Sequence, residues 1–536
     1  MQSADPDSST GGAADSIVLG GKIYTVNPQQ PWAQAVAVRK GKIVAVGSEA
    51  DMHTLRGPRT EVIEADGHMV LPGFTDTHLH LRLEPSRSLY CEFVASTIAE
   101  AQDALRARVR EKPNDPVVLG WALLAEHAAA TGRAHLDQAV PDRPVLIYDG
   151  HRTYANSKAL QAAGITRDTP DPDGGVICRD PVTHEPTGVL EEAAGREALA
   201  LLAPKPTHEM ALEGYRRAFR TASEMGLVRL HSAGRDSDAI GVFDEMRRSG
   251  ELPLRLLIST VIDPPSLKPE DIDAIESTRE RYNDEWIDAN AVKFFQDGLV
   301  ETHTAAMLEP YEDAVTVTGE THWRTDAFRH AVVEMNRRGF HILAHATGDR
   351  STREILDAYA LARQANGKGH TVLRIEHAEH ISDEDITRFA HLGVIASMHP
   401  LFPVSVWGAQ EMCVGSHRMQ LAFPWRSLAR AGGRVAFGSD FPAYTLNPWE
   451  AIQALVAGHP RAEQRISIAE AISGYTLDAA YAGGRERTEG SLSTGKAADL
   501  MVVSQNLFDA PATSLAQTRV LLTMVGGRVV HRHHCL

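Results

Sequence analysis

The chain has 536 residues, 43% of them hydrophobic, so it is long enough to bury a large core and a smaller domain. Its 54 Lys and Arg against 70 Asp and Glu give a net charge of −16, which argues against a nucleic-acid or anionic-membrane partner. No apolar run reaches the roughly 18 residues of a membrane span, so we expect a soluble protein.

The two ends of the chain predict the same kind of structure. Residues 1–15 lack the charged and apolar regions of a secretory signal and are expected to form a flexible tail. Short apolar runs separated by glycine turns predict strands across residues 16–70, and the pattern returns across residues 487–530. We expect these two segments to pair into one composite β-sandwich.

Residues 71–486 predict an α/β fold, a (β/α)8 TIM barrel, because eight apolar runs alternate with helical patterns. The runs are Val70–His80, Gly226–His231, Leu252–Thr260, Asn290–Phe295, Phe340–His345, Thr371–His377, Gly393–Met398 and Arg434–Gly438. Residues 82–207 are too long for a loop. We interpret them as an α+β lobe inserted after the first strand.

Potential metal ligands stand at or near the C-terminal ends of several runs. His78 and His80 end the first run, and the period of two places both rings on one side of a strand. The later candidates are Lys293, His345, His377 and Asp440. Because the C-terminal ends of barrel strands surround one mouth, these side chains are predicted to converge there.

Lys293 is the unexpected member of this set, because an ammonium group cannot bind a cation. Reaction of its amine with carbon dioxide would give an anionic carbamate that can bridge two metal ions. The alternative is a lysine paired with Asp297 or Glu301 at the barrel rim. Position alone leaves both interpretations open.

The order His-x-His, Lys, His, His, Asp on strands one, four, five, six and eight resembles the amidohydrolase superfamily. Other motifs are similar to its YtcJ-like branch, which includes N-substituted formamide deformylases. They are Asp149-Gly-His151, Asn156-Ser-Lys-Ala-Leu160, Pro186-Thr-Gly-Val-Leu190, Lys293-Phe-Phe-Gln-Asp-Gly298, Arg374-Ile-Glu-His377 and Gly438-Ser-Asp-Phe-Pro442. The resemblance extends from about Ser16 to Val530 and implies the superfamily's barrel and composite sandwich.

The resemblance also implies two divalent metal ions, expected to be zinc. The implied ligands are His78, His80 and Asp440 for the more buried ion, His345 and His377 for the second, and Lys293, as its CO2-derived carbamate, for both. A hydroxide would bridge the ions. Asp440 would act as the general base that passes the hydroxide's proton to the leaving amine.

Further residues are candidates for contact with a small-molecule substrate. His231 ends the second run, and we predict a catalytic contact there, with a structural histidine as the alternative. The predicted substrate-binding residues are His151, His303, His399 and Glu301. His151 could instead make a hydrogen bond within the lobe.

Two of these histidines depart from the branch pattern. His303 stands where the branch often has Arg, and His399 stands where it often has Gln before Pro. They could be specificity determinants or additional histidines that a metal also contacts. The resemblance therefore does not carry a substrate over to this chain.

We predict a metal-dependent hydrolase that cleaves a C–N bond of an amide, formamide or cyclic amide. A deaminase or an ester or lactone hydrolase on the same centre is the enzymatic alternative, since one fold hosts many reactions. The second alternative is a non-catalytic relic that binds metal without turning over a substrate. The four cysteines are far apart, which favours a reducing, cytoplasmic setting, and a homodimer would be compatible with the sequence.

Overall fold

The computed structural model describes residues 12–124, 132–149, 152–172 and 175–536. They divide into two compact units, one formed by Met1–Arg82 with Arg216–Leu536 and the other by Leu83–Tyr215. Within the described ranges, no helix combines the length and the apolarity that crossing a bilayer would require.

The first unit contains a barrel of eight parallel strands that pair in chain order. The strands are Phe74–Leu79, Leu227–Ser232, Arg255–Val261, Ile287–Phe295, His341–Ala346, Leu373–His377, Val394–Met398 and Arg434–Phe437. A parallel bridge between Leu79 and Phe441 joins the first strand to the segment after the eighth. The predicted α/β barrel is therefore confirmed, with one strand at each predicted run.

Amphipathic helices lie between the barrel strands and bury one face each, as the helical patterns predict. The helices of this unit are Glu49–Met52, Ile240–Arg248, Pro269–Arg281, Thr325–Arg337, Asp349–Asn366, Asp383–Leu392, Phe402–Arg418, Trp425–Arg430, Pro448–Gln453, Ile468–Tyr475 and Leu477–Ala482. His208–Glu224 precedes the second barrel strand and spans the boundary between the units.

The first predicted run, Val70–His80, divides into two strands in the structure. Met69–Pro72 pairs antiparallel with Leu500–Val503, whereas Phe74–Leu79 enters the barrel. Gly73 separates them, and a Cβ atom there would lie 2.2 Å from a methyl carbon of Val228. One apolar run thus contributes to two sheets, and the glycine between its two strands leaves room for the Val228 side chain.

Strands from both ends of the chain form two further sheets. The four-stranded sheet contains Lys42–Gly47, Ala35–Arg39, Ser16–Leu19 and Glu61–Glu64 in spatial order. The six-stranded sheet contains Arg528–Arg532, Val520–Val525, Leu500–Val503, Met69–Pro72, Lys22–Tyr24 and Trp32–Ala33. Side chains of both sheets share one hydrophobic core, which includes Val36, Val70 and Leu522.

A buried ion pair ties the six-stranded sheet to the barrel. The guanidinium of Arg255, on the third barrel strand, donates to both carboxylate oxygens of Asp499 at 2.7 Å. Asp499 also accepts a hydrogen bond from the backbone N–H of Gly526. Both partners of the pair are almost fully buried, so removing either would leave an uncompensated charge.

The second unit has a six-stranded sheet of its own. Its strands, in spatial order, are Gly175–Arg179, Pro186–Glu192, Arg152–Ala155, Val145–Tyr148, Val118–Leu124 and Tyr90–Ala95. Its helices are Ile98–Glu111, Arg133–Ala139, Ser157–Ala162 and Ala193–Leu202. The predicted substrate residue His151 lies outside the described residues.

We expect the buried His341, first residue of the fifth barrel strand, to make stability depend on pH. Burial lowers its pKa from 6.5 to about 4, and its Nδ1 accepts a hydrogen bond from the Val372 N–H. Between pH 6.5 and 4, His341 therefore binds a proton in the unfolded chain but not in the folded chain. The free energy of unfolding should fall as pH drops through this window, by at most about 1.4 kcal/mol per pH unit from this residue.

The measurement is urea unfolding of the protein and of His341→Asn at pH 7.5 and at pH 5. Asn keeps a hydrogen-bond acceptor but does not titrate, so the variant should lose less stability on acidification. An equal loss in both proteins would contradict the assignment to His341.

Candidate metal centre

Imidazole rings from the ends of four barrel strands meet inside the barrel. Neighbouring rings in this histidine cluster have centroids 4.3–5.2 Å apart. Its members are His78, His80, His345, His377 and His399. Two trios of side chains, His78 with His80 and Asp440, and His78 with His377 and His399, place ligand atoms within 4.8 Å of one another.

His78 is fixed by a carboxylate from the sixth strand. Its Nδ1 lies 2.6 Å from Oε2 of Glu376, and a carboxylate can only accept, so Nδ1 carries the hydrogen. Glu376 in turn accepts from Arg374 at 2.8 and 2.9 Å. This leaves Nε2 of His78 as a lone-pair donor, the arrangement typical of a metal-binding histidine.

The sixth strand breaks its alternation so that two consecutive residues face the centre. In a regular strand Glu376 and His377 would point to opposite sides. Glu376 bonds His78, yet the ring of His377 also lies 5.0 Å from that of His78. His377 adopts φ +69° and Ala378 φ +49°, and such strained backbone conformations are concentrated at functional sites.

Asp440 reaches the centre through a similarly tight turn after the eighth strand. It has φ +56°, and its Oδ1 lies 3.0 Å from Nε2 of His80 and 3.6 Å from Nε2 of His78. Gly438 permits the approach, because a Cβ there would lie 2.5 Å from the His78 backbone nitrogen. Burial opposes ionisation of Asp440, but the hydrogen bond and charge of His80 keep its pKa below the ordinary value.

Lys293 projects from the fourth strand into the barrel and is fully buried. Its Nζ makes no hydrogen bond within the described part of the chain and lies 4.9 Å from the ring centroid of Phe295. Burial lowers the pKa of this amine to about 8, and the nearby carboxylates of Glu376 and Asp440 oppose that shift. The predicted alternative, a rim lysine paired with Asp297 or Glu301, does not match this position.

His345 is oriented by the loop after the fourth strand. Its Nε2 lies 3.1 Å from the carbonyl oxygen of Gly298, which can only accept, so Nε2 carries the hydrogen and Nδ1 keeps the lone pair that can bind a metal ion. Asp297 anchors the same region by accepting hydrogen bonds from Thr347 and Gly348 backbone N–H groups at 3.1 and 2.9 Å. Burial is the main cause that lowers the pKa of His345 to about 3. The ring is therefore neutral at physiological pH.

The centre is unevenly buried. The side chain of His78 is 1% exposed, whereas those of His80 and Asp440 keep 25% and 12% of their surface. Burial also depresses the pKa of His78 and His377, so their rings are neutral and available as ligands. Solvent reaches the centre on the side of His80 and Asp440.

The structure places His231 away from the predicted mouth. The residue is fully buried, and its Nδ1 lies 3.1 Å from a guanidinium nitrogen of Arg374. Arg374 binds Glu376, so His231 is linked to His78 only through two intervening side chains. These contacts are those of the structural alternative, and we do not assign His231 a contact with substrate.

The two departures from the branch pattern lie in different environments. His399 joins the histidine cluster, with its ring 4.4 Å from that of His377. His303 instead places Nε2 2.8 Å from Asp313 Oδ1, with Cys413 close by. Glu301 accepts a hydrogen bond from Gln410.

Several residues that organise the site were not predicted. The amide of Gln410 donates to both Glu301 and Glu379, and Glu379 Oε1 lies 3.5 Å from Nδ1 of His377. The pairing of Arg374 with Glu376 was not predicted either, although the sequence contains a pattern that indicates it. An Arg and a Glu two residues apart in an apolar strand share one face, and buried charges there need each other.

Comparisons with known proteins identify the family of this chain. The amidohydrolase family model, Amidohydro_3, matches residues 61–531. This chain belongs to the amidohydrolase family. It is 30% identical to the putative amidohydrolase YtcJ of Bacillus subtilis, over 96% of this chain and 99% of that protein.

One further relative and one solved structure each match nearly the whole chain. The N-substituted formamide deformylase of Arthrobacter pascens is 30% identical, over 96% of this chain and 97% of that one. The crystal structure of an uncharacterized metal-dependent hydrolase from Pyrococcus furiosus superimposes with a TM-score of 0.74 at 24% identity, covering 92% of this chain and all of that one. The latter likeness concerns the fold.

We expect Glu376→Gln to weaken metal binding about 10- to 100-fold, because it removes the charge that orients His78. The measurement is competition with a chelator, at a temperature where circular dichroism shows the variant folded. Glu384→Gln, which alters an exposed glutamate bound to Arg353, is the matched control and should bind metal normally. Unchanged affinity in Glu376→Gln would show that His78 needs no such support.

Proposed function

We propose that this amidohydrolase cleaves a C–N bond of an amide, formamide or cyclic amide at a binuclear metal centre. The observation that carries the proposal is the buried amine of Lys293, without a partner among the described residues, beside neutral histidines and an ionised Asp440. A buried amine without a hydrogen-bond partner is costly, and a role as a metal ligand would account for its position.

The donor set fits divalent metal ions. Imidazole nitrogens and carboxylate oxygens suit zinc, and outer hydrogen-bond acceptors fix the tautomers of His78 and His345. His78, His80 and Asp440 would hold one ion, and His345 and His377 the other. A carbamate on Lys293 would supply the bridging anion. Bound ions would lower the pKa of a water molecule to about 7 and polarise the substrate carbonyl.

Asp440 is the residue we assign to proton transfer. Its carboxylate is ionised, partly exposed and at the open side of the centre. One oxygen of this carboxylate would take a proton from the attacking water and deliver it to the leaving nitrogen. The other carboxylate oxygen could remain near the metal ion during the proton transfer.

Two relatives support a C–N substrate. One is named a putative amidohydrolase and the other an N-substituted formamide deformylase, each 30% identical over 96% of this chain. We therefore place N-substituted formamides and cyclic amides first in a substrate panel. Amino-substituted heterocycles and lactones belong in the same panel, since hydrolysis of those alone would favour the deaminase or lactonase alternative.

For Asp440→Asn we expect kcat/KM to fall about 10²- to 10⁴-fold, the usual contribution of a general base. Metal content is measured on the same samples, because Asp440 is also a proposed ligand. Asp509→Asn, at an exposed ion pair with Lys22, is the control. Full activity in a metal-loaded Asp440→Asn protein would refute the assigned role.

For Lys293→Ala we expect the metal content to fall from about two ions per chain towards one or none, because the bridging anion is lost. Elemental analysis checks this, with Lys368→Ala, a change at an exposed lysine, prepared in parallel. Lys293→Glu should retain more metal than Lys293→Ala because it supplies a permanent carboxylate. One ion per chain in both the unaltered protein and Lys293→Ala would indicate a mononuclear site.

A further inference from the structure

His399 differs from the other members of the histidine cluster because the family pattern does not predict a ligand there. It follows the seventh strand, Val394–Met398, and is 2% exposed. Its ring centroid lies 4.6 Å from that of His78 and 4.4 Å from that of His377. It therefore borders residues proposed for each of the two ions.

The hydrogen bonding of His399 fixes which nitrogen is available. Nδ1 lies 3.2 Å from the carbonyl oxygen of Gly438, and a carbonyl accepts, so Nδ1 carries the hydrogen. Nε2 is then the lone-pair donor. This atom is buried and has no hydrogen-bond partner in the ranges that the structure describes.

A buried lone pair without a donor is unfavourable unless something binds it. Water-exposed histidines avoid this cost, but His399 cannot, because its ring is enclosed by His78, His377 and Phe402. Binding of a cation or a hydrogen-bond donor at Nε2 would therefore remove this cost.

His399 has the same outer support as the histidines already proposed as ligands. Nδ1 of His78 is held by Glu376, Nε2 of His345 by the Gly298 carbonyl, and Nδ1 of His399 by the Gly438 carbonyl. In each case one ring nitrogen donates outward. Such an outer acceptor is the recurrent feature of metal-binding histidine.

We propose that Nε2 of His399 is an additional metal ligand, placed between His78, a proposed ligand of one ion, and His377, a proposed ligand of the other. The ligand atoms of these three residues already lie within 4.8 Å of one another. The inference rests on the proposed metal-dependent function. It adds an imidazole nitrogen to the ligand set, which the glutamine that the branch often has at this position could not provide.

The extra imidazole alters which metals the centre favours. Imidazole nitrogen suits zinc, cobalt, nickel and copper, whereas carboxylate and water suit magnesium and manganese. An additional nitrogen should therefore shift preference away from manganese. Replacing His399 by Gln, the residue the branch often carries, should reverse part of that shift.

The experiment loads the full-length chain and His399→Gln with cobalt(II) and compares visible absorption, which reports the ligands directly. Affinity is measured by competition with a chelator. We expect an altered spectrum and at least about a 10-fold loss of cobalt affinity, since even outer-sphere changes cost 10- to 100-fold. Manganese affinity should change less. His399→Asn provides a second variant if His399→Gln misfolds.

His391→Gln is the matched control, because it removes an exposed histidine in the last turn of helix Asp383–Leu392, outside the cluster. An unchanged spectrum and affinity in His399→Gln, with a raised KM, would overturn the inference and make His399 a substrate contact. Failure of the unaltered chain to bind cobalt would instead overturn the proposed function itself. The two failures are therefore distinguishable.

Discussion

The buried carboxylate of Glu376 is the point on which the centre depends. It receives hydrogen bonds from Arg374 and His78, and Arg374 also donates to the Thr77 carbonyl oxygen of the first strand. A charge so deeply buried is tolerable only when its partners surround it. The same bonds that neutralise Glu376 join the first and sixth strands and set the orientation of His78. The hydrogen bonds that hold these two strands together therefore also fix the orientation of the proposed ligand His78.

The fold was largely predictable, because barrel strands and their helices have local periodic patterns and candidate ligands stand near strand ends. Depth inside the barrel was not predictable. His231 ends an apolar run as His345 does, but it lies opposite Leu257, an interior barrel residue, and binds Arg374. Pairings such as that of His78 with Glu376, 298 residues apart, depend on register around the barrel.

Local strain marks the positions that pattern alone could not orient. His377 and Asp440 both have positive φ, and each brings a side chain to the centre that a regular strand would direct elsewhere. The cost of such conformations is of order 1–3 kcal/mol each, which surrounding structure must offset. Gly438, which follows the eighth strand, leaves the space in which the chain passes close to His78. The packing of the surrounding strands therefore holds the side chains of His377 and Asp440 in the positions that the centre requires.

The six-stranded sheet has a consequence for how the chain is made. Met69–Pro72 lies between Lys22–Tyr24 and Leu500–Val503, so this strand lacks one neighbour until a segment much later in the chain has been synthesised. During that interval it presents an unpaired apolar edge, which is a template for aggregation. The strand that covers this edge, Leu500–Val503, is synthesised much later than the strand that it covers. Loss of the C-terminal 40 residues would therefore harm solubility before it harmed any ligand of the metal centre.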